Sequence, residues 1–526
     1  MLTIKKIKSI EDLSEIIKLH QSNKEIVIHA HGCFDLLHYG HIRFLEKAKE
    51  LGHILVVSIT SSEFVNKGPG RPVFNNDQRT YQLASLEFVD FVCVNFEADA
   101  CNLMQALKPD IAVRGFEYIE SSNDITGKID EEKSSIESTG GKMIFIDTPV
   151  HSSTELINSG IDHLSSELNE YKDHLQEKHI NNAANEFFDL LKKTSLTIVG
   201  DLIIDEYIFA NVLGTVSKHS AISASYKNNR IMGGGSLAIA RHISNFVRNL
   251  NYIARIGGKS EEINKQVLDN INSNIKLNLI EEPDLYSVIK SRYIASGYSN
   301  PLSGRIQIED QNTDNRLFEI SHLPQKIDKN SEEKLISFIK SNVSESELLI
   351  ISDFGHGLLS EKTIDYVCSL KNFIALNVQT NSSNFGFNLI TKYKRADFIC
   401  IDEVEARLAL GDRNKDIDLI AKDIFSMIDC KNLMITRGKL GLNYYSKGKK
   451  ITSPALSNNV IDAVGAGDAV FAGASLCAFH DIDPEVLVLI SSIMGMIGTK
   501  IVGNERSIES HEVIANIKGF LKSSTI

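Results

Sequence analysis

Short apolar runs alternate with helical segments along most of this chain, and this alternation restricts the fold more than any other feature. Tight hairpins cannot join parallel strands, so strand–helix–strand order predicts parallel sheets with crossover helices. One series of runs precedes residue 150 and another follows residue 190: EIVIHA (25–30), LGHILVVSITS (51–61), FVDFVCVNF (88–96), DIAVRG (110–115), KMIFID (142–147), LTIVGD (196–201), LLIISDFG (348–355), FIALNV (373–378), ADFICID (396–402) and NLMITRG (432–438). The pattern therefore predicts two successive α/β units.

The length of the chain also predicts more than one domain. With 526 residues, of which 42% are apolar, it exceeds what one hydrophobic core usually supports. A stretch rich in Glu, Lys, Asn and His separates the two series of runs, and Leu and Phe recur in it at helical spacing. We predict an N-terminal domain over residues 1–157, a helical linker over 158–194 and a C-terminal domain over 195–526.

Charge and cysteine content exclude several classes of partner. The formal net charge of −12 does not suit a general nucleic-acid or anionic-membrane binder, which needs a basic face. Charges interrupt the N-terminal segment, unlike a signal peptide, and the apolar stretch 486–502 is short and broken by glycines. The 7 cysteines lack C-x-x-C spacing, which is typical of reduced thiols. We expect a cytoplasmic protein that binds small anions, with no nucleic-acid or membrane partner.

The motif HGCFDLLHYGH (31–41) indicates a phosphate site in the N-terminal domain. It follows a predicted strand, and Gly32 allows the backbone to come close to a ligand. His38 and His41 lie near the predicted start of a helix, where amide donors and the helix dipole favour phosphate. Nucleotidyl transfer needs alignment and charge stabilisation more than covalent chemistry, and two imidazoles can contribute to both. The H-x-G-H spacing alone also arises by chance.

The surrounding sequence resembles the H-x-G-H cytidylyltransferase-like nucleotidyltransferases. HGCFDLLHYGHIRFLEKAKELG, KGPGRPVFNNDQR, VRGFEY and HSSTELI follow in that family's order. The resemblance implies a Rossmann-like nucleotidyltransferase domain with catalytic roles for His38, His41 and Lys67. It also implies a set of nucleotide- and phosphate-binding residues: Gly32, Phe34, Arg79, Arg114, Ser153 and Thr154. Glu155 stands where many members have lysine, which reduces the positive charge beside the Ser–Thr pair.

The motif NVIDAVGAGDAVFAG (459–473) predicts an anion-binding turn in the C-terminal domain. Gly465 and Gly467 keep side chains away from a turn whose amides converge on an anion, and Asp468 stands at the start of the following helix. A carboxylate in this position can take the proton from an attacking hydroxyl while the γ-phosphoryl group leaves ATP. A glycine-rich turn alone is as often purely structural.

From residue 196 to about residue 523, the chain resembles the ribokinase-like (PfkB) carbohydrate kinases, especially the kinase part of bifunctional heptose kinase/adenylyltransferases. The matching segments are VGDLIIDEY, MGGGSLAIARHI, SDFGHG, ICIDEVEA and ITRGKLGLNYY. The resemblance implies a ribokinase-like α/β domain with a small β-lid, to which 287–297 and 304–311 contribute strands. It implies Asp468 as the catalytic base and three binding sets: Thr436, Gly438, Gly441, Gly465, Ala466 and Gly467 for nucleotide and phosphate, Asp205, Gly234, Gly235 and Asp353 for the acceptor, and Asp402 and Glu405 for Mg²⁺.

Three positions depart from that family's pattern. Ala238 replaces an asparagine after the glycine pair, His356 replaces a lysine, and Asn377 begins the segment that usually reads D-P-K. These changes indicate altered acceptor recognition or a weakened kinase. The order of the domains is also reversed relative to the best-known bifunctional heptose enzymes.

The two motifs predict consecutive steps toward a nucleotide-activated sugar. We expect the C-terminal domain to phosphorylate a sugar or sugar phosphate with Mg²⁺ and ATP. The N-terminal domain would then join a sugar phosphate to a nucleotide from ATP or CTP. By resemblance, the leading product is ADP-heptose for a surface polysaccharide, and the lid pairs subunits in a homodimer. Two alternatives stay open, namely a CDP-polyol or other NDP-sugar as product, and a kinase-like module that only binds sugar and dimerises.

Overall fold

The computed structural model of the protein describes residues 2–116, 129–146, 166–175, 177–216, 221–269, 271–295, 316–323, 326–343, 348–457 and 460–521. The chain divides into two compact units. Unit 1 comprises Met1–His174 and Ile514–Ile526, and unit 2 comprises Leu175–Val513. The domain limits inferred from sequence stay a prediction. The two units differ from them by grouping Ile514–Ile526 with the N-terminal residues and by dividing the predicted linker between them.

Unit 1 contains a parallel five-stranded sheet of order β3-β2-β1-β4-β5. The apolar runs form its strands: β1 (Val27–Gly32), β2 (Ile54–Thr60), β3 (Phe91–Asn95), β4 (Ile111–Gly115) and β5 (Lys142–Ile146). The helices before, between and after these strands are α1 (Leu2–Lys6), α2 (Ile10–Ser22), α3 (Tyr39–Lys49), α4 (Asn76–Ala84), α5 (Cys101–Leu107), α6 (Ile129–Ser138) and α7 (Ser166–His174). Val, Ile and Leu side chains of the strands and helices form its cores, as expected for a sheet covered on both faces.

Unit 2 contains a nine-stranded sheet of order β10-β9-β6-β13-β14-β15-β16-β17-β18. Its pairs are parallel from β10 to β16 and antiparallel beyond β16. The strands are β6 (Ser195–Gly200), β9 (Asn249–Gly257), β10 (Ile275–Glu282), β13 (Leu348–Asp353), β14 (Phe373–Val378), β15 (Arg395–Asp402), β16 (Asp429–Thr436), β17 (Leu442–Ser446) and β18 (Lys449–Ser453).

The remaining helices include those that connect the strands of unit 2. They are α8 (Glu177–Leu191), α9 (Ser236–Ser244), α10 (Glu261–Leu268), α11 (Lys329–Val343), α12 (Glu361–Ser369), α13 (Glu403–Leu410), α14 (Ile417–Met427), α15 (Ala466–Phe479), α16 (Pro484–Gly498) and α17 (Ser510–Leu521). The apolar stretch near residue 490 forms the buried helix α16. Within the described ranges, no helix has the length and hydropathy needed to span a bilayer.

A second, four-stranded sheet in unit 2 corresponds to the expected lid. Its order is β12-β11-β7-β8, with strands β7 (Leu202–Thr215), β8 (Ile222–Gly235), β11 (Val288–Ala295) and β12 (Arg316–His322). The predicted lid segment 287–297 supplies β11, while 304–311 lies outside the described residues. The prediction of two α/β domains, the second with a small β-lid, is confirmed.

Candidate active sites

The first candidate site lies at the carboxyl ends of β1 and β4 in unit 1. In the sheet, β1 lies between β2 and β4: the chain continues from β1 to β2 on one side of β1 and later places β4 on its other side. β1 and β4 therefore flank a crevice of the kind that binds nucleotides in doubly wound sheets. Arg114 at the end of β4 donates from Nη1 to the carbonyl of His31 at 2.7 Å. Its Nε donates to Glu132 at 3.0 Å, forming a buried ion pair. Arg114 therefore ties the two strand ends together, and a contact with nucleotide stays a prediction.

His38 and His41 lie together at the start of α3. His38 is the N-cap residue, and its Nδ1 accepts from the amide of Gly40 at 3.1 Å. The two imidazole rings stack with centroids 3.9 Å apart. The spacing of three places both rings on one face of the first helical turn, where the helix dipole favours an anion. The structure thus brings together the two histidines that the sequence singled out.

The environment of His41 disfavours a positive charge when no anion is bound. Burial, His38 and Lys67 lower the pKa of His41 to about 3, in that order of importance. The imidazole is therefore neutral, and its Nδ1 donates to the carbonyl of Leu36 at 3.1 Å. The positive charge of Lys67 therefore acts electrostatically on His41. A bound phosphate would reverse this balance and favour the imidazolium.

Phe34 shapes the floor of this site. Its backbone is left-handed with φ +44°, its side chain is 4% exposed, and its ring meets that of His41 edge-on at 5.2 Å. A Cβ on Gly32 would lie 3.1 Å from the Phe34 ring, so a larger residue would push the ring toward the histidines. Gly32 and Phe34 therefore form one packed unit beneath the imidazoles.

Two arginines stabilise the loops around this site from inside the protein. The fully buried guanidinium of Arg79 donates to the carbonyls of Cys33 and Thr60 at 2.7 and 2.8 Å, and also reaches Ser62 and Asn76. Arg71, which sequence reasoning did not single out, forms a buried ion pair of 2.5 Å with Asp35. Their protein contacts indicate support of the loops, and nucleotide binding by Arg79 stays a prediction. The predicted phosphate-binding Ser153 and Thr154 lie outside the described residues.

The second candidate site lies at the carboxyl edge of the large sheet of unit 2. Strands β13, β15 and β16 end at Asp353, Asp402 and Thr436, and Gln379 follows β14 directly. Parallel neighbours end at the same edge, so this edge collects polar side chains from four adjacent strands. Three of these four residues were predicted site residues, whereas Gln379 was not.

Asp468 occupies the first turn of α15. Gly465 caps the helix with φ +84°, Ala466 begins it, and Gly467 is exposed with no neighbour near its Cα hydrogens. A side chain on Gly465 would collide with Asn504, which enforces glycine there. This turn lies at the positive end of a helix of 14 residues, and the exposed Gly467 leaves space for an anion there.

Asp468 is itself buried and held by one side chain. It is 7% exposed, and Nε2 of Gln379 donates to its Oδ1 at 2.9 Å. Burial raises the pKa of Asp468 to about 7, and the nearby charge of Asp205 adds to the rise, while Gln379 and Lys290 oppose it. A carboxylate with a pKa near neutrality is suited to accept a proton and release it again.

Asp462 fixes the turn that precedes Asp468. Its Oδ1 accepts from the amide of Val464 at 3.0 Å, and its Oδ2 accepts from Tyr207 Oη and the amide of Gly503, each at 3.1 Å. Asp462 is 2% exposed. Sequence reasoning did not single it out, although an acidic residue within an otherwise apolar and glycine-rich motif was a usable signal.

The lid sheet brings one acidic and one basic side chain, Asp205 and Lys290, into electrostatic range of Asp468. Asp205 on β7 pairs with Arg292 on β11, and Arg292 also contacts Glu319 at 3.0 Å. Lys290, directly opposite Asp205 in the sheet register, interacts electrostatically with both Asp205 and Asp468. Burial lowers the pKa of Lys290. These polar groups, of which only Asp205 was predicted, indicate a polar acceptor.

One of the two glycines predicted for the acceptor site, Gly234, makes room for Asp205. A Cβ on Gly234 would collide with the Asp205 carboxylate, and Gly235 has φ +58° where it begins α9. Asp353, in contrast, is fully engaged by the protein. It accepts from Tyr393 Oη at 2.7 Å and from the amide of Gly355 at 2.9 Å, and it pairs with Lys392 at 2.6 Å. Acceptor binding by Asp353 stays a prediction, and its visible contacts are structural.

Asp402 and Glu405 form a capping box at the start of α13. Asp402 Oδ1 accepts from the amide of Val404 at 2.8 Å, and Glu405 accepts from the amides of Asp402 and Thr380 at 2.9 and 3.0 Å. Burial raises the pKa of Glu405 to about 7, and the charges of Asp402 and Asp468 contribute. Three acidic side chains therefore act on one another here. Across the described ranges, no group of three or more His, Cys, Asp or Glu residues has metal-binding geometry.

The predicted nucleotide-binding residues at the end of β16 form a tight turn. Gly438 and Gly441 have φ +53° and +82°, and the amide of Arg437 donates to the carbonyl of Gly441 at 2.8 Å. A side chain on Gly441 would collide with the carbonyl of Ser453. Thr436 pairs with Asp402 across the sheet, so the turn begins beside the capping box.

The three departures from the kinase pattern are all buried. Ala238 is 1% exposed, and Asn377 donates to the carbonyl of Cys400 at 2.8 Å. Burial is the main cause that lowers the pKa of His356 to about 4, so its imidazole is neutral. It cannot supply the positive charge of the lysine it replaces. Lys290, which acts electrostatically on His356, carries a positive charge nearby.

Comparisons with known proteins find different family models for the N-terminal and the C-terminal parts of the chain. The family model "Cytidylyltransferase-like" matches residues 29–159, and the model "pfkB family carbohydrate kinase" matches residues 308–496. Among curated proteins, "Bifunctional protein HldE" of Campylobacter jejuni is 47% identical over 116 residues, which is 22% of this chain and 24% of that protein. The protein of the same name from Trichlorobacter lovleyi is 38% identical over 143 residues, 27% of this chain and 28% of that protein. The chain therefore spans about a quarter of the length of the curated relatives it matches.

Solved structures are similar to the chain at lower identity. Phosphofructokinase-2 from Escherichia coli is 14% identical with a TM-score of 0.47, covering 62% of this chain and 99% of the other. Ribokinase from Arabidopsis thaliana is 14% identical with a TM-score of 0.44, covering 63% of this chain and 99% of the other.

Proposed function

We propose that the protein is a bifunctional enzyme of nucleotide-sugar biosynthesis. Unit 2 phosphorylates a sugar or sugar phosphate with ATP, and unit 1 transfers a nucleotidyl group from a nucleoside triphosphate to a sugar phosphate, releasing pyrophosphate. The observation that carries the proposal is common to the two units. In each unit, reactive side chains lie at the start of a helix at the carboxyl edge of the sheet: His38 and His41 at α3, and Asp468 at α15. The favoured product is ADP-heptose.

In unit 2, Asp468 acts as the base for the acceptor hydroxyl. Its raised pKa and its bond to Gln379 suit a carboxylate that takes one proton as phosphoryl transfer begins. The amides at Gly465–Gly467 face the charge that develops on the phosphoryl group. Asp205 and Lys290 on the lid sheet orient the acceptor, and the lid excludes water during transfer.

Asp402 and Glu405 would hold Mg²⁺ in this unit. The two carboxylates lie on one capping box, and burial together with the charges of Asp402 and Asp468 disfavours the ionised form of Glu405, which a nearby cation would stabilise. Two protein carboxylates fit a Mg²⁺ ion that completes its shell with water and phosphate oxygens. When bound, Mg²⁺ would neutralise negative charge on the phosphate groups.

In unit 1, His38, His41 and Lys67 surround the phosphates. The sugar phosphate attacks the α-phosphorus in line with the departing pyrophosphate, so this chain needs to align charges rather than form a covalent intermediate. The neutral His41 becomes protonated as the triphosphate binds, because the anion offsets the charge of Lys67. Each of the three side chains then stabilises negative charge in the transition state.

Product analysis tests the proposal. The full chain is incubated with Mg²⁺ and either ATP or CTP, together with heptose phosphates, free sugars or polyols, and the products are identified by mass spectrometry. We expect a heptose bisphosphate and an ADP-heptose. A CDP-linked product would move the assignment to another activated polyol or sugar, and the absence of any nucleotidyl product would contradict the function of unit 1.

One observation favours a second candidate for unit 2. His356 is neutral where the kinase pattern has a cation, so unit 2 could bind sugar without phosphorylating it. ADP formation with every acceptor in the panel separates the two candidates, because nucleotidyl transfer by unit 1 releases pyrophosphate instead of ADP. ADP formation that depends on an acceptor supports the kinase, whereas ADP formation equal to that without acceptor supports the binding module.

The pH dependence of phosphorylation is expected to follow Asp468. Because the base must be ionised and its pKa is raised to about 7, kcat/KM falls as the pH drops below neutrality, approaching about tenfold per pH unit. In Gln379→Met the carboxylate loses an N–H donor that favours its ionised form, so the acidic limb moves to higher pH. Steady-state kinetics across neutral pH measure this shift.

Gln82→Met in unit 1 is the matched control for Gln379→Met and should leave the pH profile of phosphorylation unchanged. Superimposable pH profiles for Gln379→Met and the parent would contradict the role of Gln379 in holding the Asp468 carboxylate.

We also propose that the protein is cytoplasmic, since its nucleotide substrates are cytoplasmic. We further propose that it is a homodimer paired through the lid sheet. Large apolar side chains of this sheet are solvent-exposed: Leu213, Ile222, Tyr226, Phe318 and Ile320. Covering them would bury apolar surface. Sedimentation should give twice the chain mass, and Tyr226→Glu should lower it to that of one chain, whereas a monomeric parent would contradict the pairing.

A further inference from the structure

The segment that carries Lys67 is packed against residues far away in sequence. In unit 1 the amide of Gly68 donates to Oδ1 of Asn516 at 3.2 Å, and Nδ2 of Asn516 donates to Oδ1 of Asn66 at 3.3 Å. One asparagine on α17 therefore holds the residues on both sides of Lys67. Asn516 is fully buried, so water does not compete for these bonds.

Two glycines allow the backbones of the Lys67 segment and α17 to touch. A Cβ on Gly519 would lie 2.7 Å from the carbonyl oxygen of Lys67 and 2.8 Å from its carbonyl carbon. A Cβ on Gly68 would lie 3.0 Å from the amide of Phe520. Backbone atoms cannot move aside as the end of a flexible side chain can, so any side chain at position 519 must push the Lys67 segment and α17 apart.

Phe520 anchors this end of α17 in unit 1. Its side chain is 1% exposed, and its ring stacks on that of Tyr171 in α7 with centroids 6.2 Å apart. The helix therefore provides a fixed surface for Lys67, whose charge already acts on His41.

We propose that Asn516 and Gly519 are positioning residues for nucleotidyl transfer, because they hold the backbone of Lys67 in place against α17. This inference rests on the proposed function of unit 1. It makes residues of α17 part of a transfer site whose reactive side chains all lie before residue 70. Asn516 and Gly519 do not touch substrate and act through Lys67.

The test is Gly519→Ala in the full chain. Alanine favours helix over glycine, so the substitution does not weaken the intrinsic helix propensity of α17. We expect kcat/KM for the nucleoside triphosphate to fall about 10- to 100-fold, the effect of displacing a charged group by about 1 Å. Lys518→Ala, at the exposed neighbouring position of the same helix, should leave it unchanged. Asn516→Ala, which removes the two hydrogen bonds without steric overlap, should lower it in the same direction.

A double-mutant cycle separates positioning from a general structural role. In a Lys67→Ala background, Gly519→Ala should cause no further loss, because the residue through which it acts is gone. Hydrogen exchange at the Gly68 amide gives a readout independent of activity, and it should accelerate in both Gly519→Ala and Asn516→Ala. Phosphorylation by unit 2 serves as the internal control for folding of the rest of the chain.

The outcomes distinguish this inference from the function on which it rests. A parent protein that transfers no nucleotidyl group overturns the proposed function and this assignment with it. A parent that transfers normally, with Gly519→Ala equally active or with additive losses in the Lys67→Ala background, overturns the assignment alone.

Discussion

Replacing Asp468 with asparagine is expected to lower sugar phosphorylation by about 10²- to 10⁴-fold, the usual contribution of a general base. Asparagine keeps the shape of the side chain, and its Oδ1 can still accept from Gln379. Folding should not suffer. The pKa of Asp468 is higher in the folded protein than in the unfolded chain. The folded protein therefore loses stability as the pH rises from the pKa of the unfolded carboxyl group through about 7, and asparagine removes that loss. Initial rates at saturating ATP, with thermal unfolding at the same slightly alkaline pH, measure both effects.

The internal control for Asp468→Asn is nucleotidyl transfer by the same molecules, which should remain at the parental rate. Asp481→Asn, at an exposed aspartate after α15, is the matched control for the substitution itself. Phosphorylation within a fewfold of the parent would remove Asp468 from the role of base. Equal loss of both activities in a folded protein would contradict two independent sites.

Replacing His41 with alanine is expected to have the opposite selectivity. Nucleotidyl transfer should fall by about 10²- to 10³-fold, the cost of removing one preorganised donor from a developing negative charge. His41 is also the ring on which His38 stacks and which Phe34 meets edge-on, so the change disturbs the whole phosphate face of α3. Pyrophosphate release, followed with each nucleoside triphosphate, measures the loss.

His41→Gln separates the chemistry from packing, because glutamine fills more of the space but cannot carry the imidazolium charge. It should be as defective as His41→Ala. His20 is a partly exposed histidine in α2 that pairs with Glu25 in the loop after that helix. His20→Ala should leave nucleotidyl transfer unchanged. Recovery of transfer in His41→Gln would assign His41 to packing rather than to charge stabilisation.

The fold could be predicted in some detail because its signals are local. Each apolar run in the N-terminal series became a strand within a few residues of its limits, and the strands pair in parallel as the alternation with helices predicts. The same holds for His38 and His41, whose spacing alone places them on one helical face. Asp468 was found for a similar reason, since the glycines before it define the turn.

The rest of the candidate sites depends on contacts between distant residues, which local patterns do not reveal. Gln379 donates to Asp468, and Lys290 lies opposite Asp205 only because β7 and β11 are neighbours. Arg79 was placed among the binding residues by its motif, but its charge is directed at four protein acceptors inside the loops. Sequence indicates which side chains carry chemistry and does not show which of them are already engaged.

The grouping of Ile514–Ile526 with unit 1 has a consequence for biosynthesis. Residues 2–174 leave the ribosome first, but the partner surface for the Lys67 segment is made only after the whole of Leu175–Val513. At about 5–20 residues per second, that interval lasts roughly 17–70 s. During it the nascent N-terminal domain has its sheet and histidines but not its support for Lys67. Nucleotidyl transfer would therefore mature only when translation reaches α17, so that an aborted chain lacks the complete transfer site.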